Sequence, residues 1–198
     1  VFISAKDQAI VYLIKSDHPK GLNGSVKLRR RNDEGFPTAR SVVKDGLLIM
    51  NGEITQRKGR FDSKAAPITK GIQFETKLKA ENFGGTLKAK GDSISFNGVK
   101  ELKLFMVSNS SYYYNSYQIQ NIKQLKNLED YSFNELEQRH VKDHQSFFNR
   151  VVFDITTDNS LQKLPTDKRL EAVKKGRLDL ELQETLFHFG RYLLISSS

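Results

Sequence analysis

The stretch from Ser132 to Asp158 constrains this fold more than any other, because the repeat of its apolar residues changes part-way along it. Ser132 and Glu135 have the spacing of a capping box, in which each side chain satisfies a backbone N–H of the other and a helix begins. Phe133, Leu136, His140, His144, Phe147, Phe148 and Val151 then recur every three or four residues and predict one largely apolar helical face. Asn134, Glu135, Gln138, Lys142, Gln145 and Asn149 fall on the other side. From Val151 to Thr156 the residues are mostly β-branched or aromatic, which predicts a strand. What precedes this joint reads as sheet, and nearly everything after it as helix. Two layers are expected, with the strand 151–156 returning to the first.

Residues 1–110 hold a succession of short alternating segments parted by turn signals, at 1–5, 8–15, 22–28, 41–44, 47–54, 71–80, 85–90, 92–96 and 101–108. Asp45-Gly46 suits a two-residue hairpin turn with positive φ. Lys90-Gly91-Asp92 and Asn97-Gly98 read as further turns of a meander, and the polar stretches 29–38 and 56–67 as loops. Many short strands at this spacing argue for an antiparallel β-sandwich rather than βαβ units. The expected fold class is therefore α+β, a sandwich followed by a helical linker with one returning strand.

From Gln120 the pattern turns helical, with Ile122, Leu125 and Leu128 on one side. Thr166 or Asp167 can cap a short helix that Gly176 ends. A last helix starts at about Asp179, and its early acids Asp179, Glu181 and Glu184 suit the positive end of the macrodipole. From Leu186 to Ile195 it is apolar on almost every side, the pattern of a helix buried all round. That helix, together with a chain opening on Val1 inside an apolar-alternating run, leads to the expectation of a piece of a longer protein.

Charge and composition narrow the classes. Of the 198 residues 37% are hydrophobic and 28% charged, a globular balance. Without cysteine there is neither a disulfide framework nor thiolate chemistry, and no apolar run approaches the ~20 residues of a membrane-spanning helix. The net charge of +9, with the cluster Lys27–Arg31 and the lysines between 77 and 103, invites a nucleic-acid reading. Yet in Lys77-Leu78-Lys79 and Leu87-Lys88-Ala89-Lys90 the lysines alternate with apolar residues, as on half-exposed antiparallel strands. No zinc-finger, helix-turn-helix or RNA-recognition pattern accompanies the charge, so solvated strand faces are the favoured reading and no nucleic-acid partner is expected.

Side-chain constellations give little chemistry. His140 and His144 are four apart and share a helix face, the spacing of a metal pair, but Val141 stands where the zinc-protease pattern needs Glu. Both lie on the apolar stripe, so packing is expected and no metal or cofactor. Tyr112, Tyr113 and Tyr114 are sugar-contact candidates, since a flat ring buries the apolar face of a pyranose; a strap from strand to helix is the favoured alternative. Asp143, Asp154 and Asp167 are acids of the kind glycoside hydrolysis uses, but each reads more simply as a cap or a surface charge. Gly84-Gly85-Thr86 is a turn and lacks the Lys-Ser/Thr of a phosphate loop. No catalytic residue is nominated; Ser132, Glu135, His140, His144 and Arg150 are expected to be structural.

Several segments occur in a familiar order: Asp7-Gln8-Ala9-Ile10-Val11, Gly71–Leu78, Gly84-Gly85-Thr86, Arg139-His140 with Asp143, Phe147 and Arg150-Val151, Leu164-Pro165-Thr166-Asp167 with Arg169-Leu170, and Phe189–Ser197. Together they resemble glycoside hydrolase family 95, the inverting α-L-fucosidases, some of which act on α-L-galactosides. The resemblance implies part of an N-terminal β-supersandwich at 1–116, a helical linker at 117–178 and, at 179–198, the first helix of a truncated (α/α)6 barrel. It further implies a fucosylated glycan as substrate of the parent enzyme, the remaining polypeptide with its catalytic barrel as partner, and a periplasmic or secreted location. The family's acid and its water-activating groups belong to that barrel, and no residue here matches them. A free-standing carbohydrate-binding module using Tyr112–Tyr114 is the alternative, and a basic nucleic-acid-binding domain the third reading.

Overall fold

The computed structural model describes residues 1–32, 38–54, 71–155 and 160–197. The loop expected at 56–67, Gly35 and Pro37 of the loop at 29–38, and Thr156 lie outside them. The chain divides into two compact units, residues 1–140 and 141–198.

In the first unit the strands are β1 (Phe2–Ser4), β2 (Ala9–Lys15), β3 (Leu22–Lys27), β4 (Ala39–Lys44), β5 (Leu47–Glu53), β6 (Gln73–Phe83), β7 (Thr86–Lys90), β8 (Ser93–Val99) and β9 (Glu101–Ser110). Helix α1 (Tyr117–Leu128) and the first half of α2 (Phe133–Phe148) follow. Six strands form a sheet in the order β1-β2-β9-β6-β5-β4, three form a second in the order β3-β8-β7, and every pair is antiparallel. The α+β sandwich is therefore present.

Strand alternation sorts the core into two halves. Leu48, Leu78, Leu102 and Leu104 of the large sheet meet Ile94 and Val99 of the small one. The opposite face carries Ala9, Val11, Phe105 and Val107, which meet Leu125, Leu128 and Leu136 of the helices. The large sheet is thus a middle layer covered on both faces. Ile122 departs from the expected α1 stripe: it is 54% exposed, and Asn121 takes the buried face beside Leu125 and Leu128.

The Asp45-Gly46 hairpin forms as its dipeptide requires, with φ of 51° and 76° between the paired Lys44 and Leu47. The meander is interrupted, however. The β6–β9 ladder ends at Phe83 opposite Glu101, and the β7–β8 ladder begins at Thr86 opposite Asn97. The segment 73–110 is one long hairpin with its tip at Gly91, folded over from the large sheet into the small one. Asn97-Gly98 is accordingly part of a corner and not a hairpin turn. Gly85 makes the corner possible: its φ is 63°, and a Cβ there would collide with the Asn97 carbonyl oxygen.

The second unit contains the end of α2, a 3-10 turn (Ser160–Lys163), α3 (Thr166–Lys174) and α4 (Leu180–Ser197). Pro165, rather than Thr166 or Asp167, occupies the N-cap of α3, and Gly176 follows it at φ 87°. The expected strand at 151–156 is not formed among its described residues, 151–155. Side chains of α4 satisfy its backbone instead: Arg191 donates to the Val151 carbonyl (2.9 Å), His188 Nε2 lies 2.8 Å from the Phe153 carbonyl oxygen, and the Ile155 N–H donates to Glu184 (3.0 Å). With its polar groups met locally, the segment's β propensity is overridden. No helix among the described residues is long and apolar enough to cross a membrane.

Candidate functional site

Two of the sequence segments singled out above meet in space. The Asp7 carboxylate, at the turn between β1 and β2, receives Arg139 of α2 through Nη2 (2.6 Å) and Nε (3.2 Å), and Ser4 Oγ donates to its other oxygen (2.6 Å). Burial pushes the Asp7 carboxyl up, but the hydrogen bonds from Arg139 and Ser4 and the nearby positive charge outweigh it and hold it below the usual carboxylate range. Arg139 also lies over the Tyr131 ring (4.3 Å), and His140 stacks on Phe2 (5.0 Å, 14° between planes). The start of α2 is fixed by reciprocal bonds of the capping box, Ser132 N–H to Glu135 (2.7 Å) and Glu135 N–H to Ser132 Oγ (3.3 Å).

Beneath α1 the helix-facing side of β6 is polar. Lys77, read from sequence as a solvated strand residue, is 6% exposed and ion-paired to Glu75 (3.1 Å), itself 5% exposed. Asn121 Nδ2 donates to Glu75 Oε1 (3.1 Å) and to the Glu75 carbonyl (2.9 Å), while Asn109 Nδ2 donates to Asn121 (2.7 Å) and to Gln124 (2.6 Å). Lys79, two residues on, donates to Glu129 (2.7 Å) and pairs with Glu81 (3.0 Å). Burial alone would lower its ammonium pKa, and the bonds to Glu129 and Glu81 more than offset that, raising it. A cavity of about 410 Å³ opens beside it, lined by Lys79, Glu81, Phe105, Leu125, Leu128, Glu129 and Tyr131. By contrast Lys88 and Lys90 on β7 are exposed, as their alternation predicts.

Tyr112, Tyr113 and Tyr114 occupy the connection between β9 and α1. Tyr112 and Tyr113 are 70% and 79% exposed, with rings edge to face at 4.8 Å, so these two rings are open to solvent rather than strapped down against a helix.

In the second unit His144 packs against Phe148 (5.5 Å) and Tyr192 (5.7 Å), and Arg150 donates to the Ser146 carbonyl while covering Phe147. Among the described residues no group of three His, Asp or Glu is arranged to hold a metal. Asp143 lies on α2, Asp154 in the segment 151–155 and Asp167 in the first turn of α3. One polar pairing is only half read from the sequence: Arg169 makes a bidentate pair with Asp179, at 2.9 and 2.7 Å, and Asp179 is 1% exposed. Asp179 also accepts the Leu182 N–H (3.0 Å), so one carboxylate caps α4 and ties it to α3.

These features brace elements; none assembles a nucleophile, acid and base around one open position. Comparison with known proteins supplies what geometry does not. Residues 1–115 match the model of the glycosyl hydrolase family 65 N-terminal domain, and residues 132–198, opening at the cap of α2, match that of the glycosyl hydrolase family 95 catalytic domain. The chain is also similar to alpha-L-fucosidase 2 of Arabidopsis thaliana, 26% identical over 223 aligned residues that take in 100% of this chain and 26% of that protein. It thus spans about a quarter of the length of that curated relative. An N-terminal match of the family 65 type followed, after residue 131, by a family 95 match, with an α-L-fucosidase aligned across both, leads to one assignment: through residues 1–115 the chain belongs to the glycosyl hydrolase family 65 N-terminal domain family, and its remainder is similar to glycoside hydrolase family 95.

Proposed function

We propose that this chain is the non-catalytic sandwich and linker portion of a glycoside hydrolase that removes α-L-fucosyl or α-L-galactosyl groups with inversion, in the periplasm or outside the cell. The observation that carries the reading is the fucosidase alignment, which runs the whole length of this chain and covers only 26% of the relative. In this reading residues 117–178 are a linker and 179–198 the first helix of an (α/α)6 barrel, and the Ser132 helix braces the sandwich. The exposed apolar side chains of α4, Phe189, Leu193 and Leu194 among them, fit a helix that packs within such a barrel. Inverting hydrolysis needs an acid and a water-activating base on opposite faces of the sugar. The pure 198-residue chain should leave a chromogenic α-L-fucoside intact, while the full product of the gene hydrolyses it and releases the β-anomer first. Turnover by the chain alone, lost on Asp143→Asn or Asp167→Asn, or release of the α-anomer by the full product, overturns the reading.

The exposure of Tyr112 and Tyr113 supports a second reading, a carbohydrate-binding module that uses these rings. Glycan titration of Tyr113→Ala separates the two: the module loses affinity, and the scaffold is unchanged.

A further inference from the structure

The outer face of the small sheet collects positive charge that the scaffold reading leaves unused. Strand alternation turns Val26, Leu87, Ile94 and Phe96 inward to the core, so their neighbours point the other way. One row across that outer face holds Lys27, Ser93 and Lys90, and the next holds Ser25, Ser95 and Lys88. Lys88 and Lys90 are exposed, and Lys90 lies two strands from Lys27, about 10 Å between backbones. Arg29, two residues beyond Lys27, is exposed as well. Asp92, beside the hairpin tip, receives Lys27 at 2.9 Å. That hydrogen bond, with the charges of Lys27 and Arg29, holds the Asp92 carboxyl below the usual carboxylate range. Lys88, Lys90 and Arg29 have no acidic partner among the described residues. The face therefore presents a field of one sign to solvent.

An anionic ligand answers that charge, and the remaining side chains of the face narrow its kind. Ser25, Thr86 and Asn97 are exposed, and their side chains make no hydrogen bond among the described residues, so hydroxyl and amide groups stand ready beside the cations. The face carries no ring on which a nucleic-acid base could stack and no apolar side chain to enter a lipid layer. A duplex held by its phosphates alone would leave the hydroxyls and the amide idle. A polymer with anionic groups and hydroxyls on the same chain uses both sets. We infer that this face binds a linear anionic polysaccharide, one bearing sulfate or carboxylate groups. Lys88, Lys90 and Arg29 meet the anionic groups, and Ser25, Thr86 and Asn97 meet the hydroxyls between them. It is a binding surface only, and the inference rests on the face and not on the substrate of the proposed function.

The test is a heteronuclear NMR titration of the 198-residue chain with dextran sulfate, polygalacturonate, neutral dextran and duplex DNA, all at physiological salt. Expected are saturable shifts at Ser25, Lys27, Arg29, Lys88 and Lys90 with both charged polysaccharides, none with neutral dextran, and DNA several-fold weaker. Lys88→Gln together with Lys90→Gln should weaken both charged polysaccharides roughly fivefold, the sum of two exposed ion pairs, with the melting temperature unchanged. Lys123→Gln together with Lys126→Gln removes the same charge from exposed positions on α1, which packs on the far face of the large sheet. At that salt, with a Debye length of about 8 Å, this second pair should leave affinity unchanged. Absence of shifts with both charged polysaccharides, equal losses in the two double variants, or DNA bound as tightly as the polysaccharides overturns the site.

Discussion

Asp7 shows what a single carboxylate does when it joins elements 132 residues apart in sequence. Its folded pKa lies below the ordinary value, so the pair with Arg139 contributes stability that is fully present above the unfolded carboxylate pKa of about 3.9 and is lost as pH falls through the folded value. Thermal melting followed by circular dichroism should therefore lose midpoint steeply below about pH 4, where that carboxylate takes up its proton. Asp7→Asn should melt lower than the parent at neutral pH and show a flatter acid limb; an unchanged acid limb would mean the pair does not titrate with unfolding. Asn121 makes a companion case. It is fully buried and holds Glu75 and Asn109 at once, so Asn121→Ala leaves buried polar atoms unmet and should cost about 1–3 kcal/mol in urea unfolding. Neither role was legible in the sequence, since alternation tells which face of a strand a residue takes and not whether that face is covered. Lys77 alternates as a solvated lysine would, and lies under α1. The capping box was legible because both of its partners lie within one helical turn. The Arg169–Asp179 pair was half legible: acid at the start of α4 was expected from the dipole, but the arginine that pairs with it carried no local sign.

Among elements, the hairpin of residues 73–110 has the most specific backbone demand, because it must leave one sheet and enter the other. Gly85 and Gly91 both have positive φ, 63° and 59°, but a Cβ at Gly91 meets nothing within 4 Å while one at Gly85 runs into the backbone of β8. Gly91→Ala should cost only the left-handed penalty of about 1–2 kcal/mol, and Gly85→Ala clearly more, with the β7–β8 amides losing hydrogen-exchange protection first. Equal losses at the two sites would show that the corner yields without strain. The nine strands were visible in sequence because each is short, alternating and bounded by Gly, Asn or Asp. What could not be read was which sheet each joins: Asn97-Gly98 carries the same turn chemistry whether the chain doubles back or crosses over. The segment 151–155 failed for a different reason. Its β-branched residues announce a strand, yet a ladder needs a partner edge, and Arg191, His188 and Glu184 reach its backbone first.

At the scale of the whole molecule, α4 is the element least settled by its own surroundings. Leu186 is 68% exposed and Leu194 71%, with Phe189, Tyr192 and Leu193 about half exposed, and no residue of the helix is buried. Its apolar pattern all round was plain from the sequence, and the structure leaves those side chains facing outward. Contiguous exposed apolar surface draws chains together in water, whereas a net charge of +9 opposes close approach at low salt. Hydrophobic contact does not weaken as salt screens that repulsion, so self-association of the chain should increase with ionic strength. Replacing Leu186 and Leu194 together by Lys tests the argument from both sides. Two side chains this exposed make few contacts within the chain, so unfolding free energy should change by no more than about 0.5 kcal/mol per site. The salt-induced increase in mass by light scattering should fall in the same variant. A large loss of stability would instead place these leucines in an interior, and undiminished association would move the sticky surface to another element, with the β1 edge bearing Val1 (78% exposed) and Ile3 (65%) next to be examined.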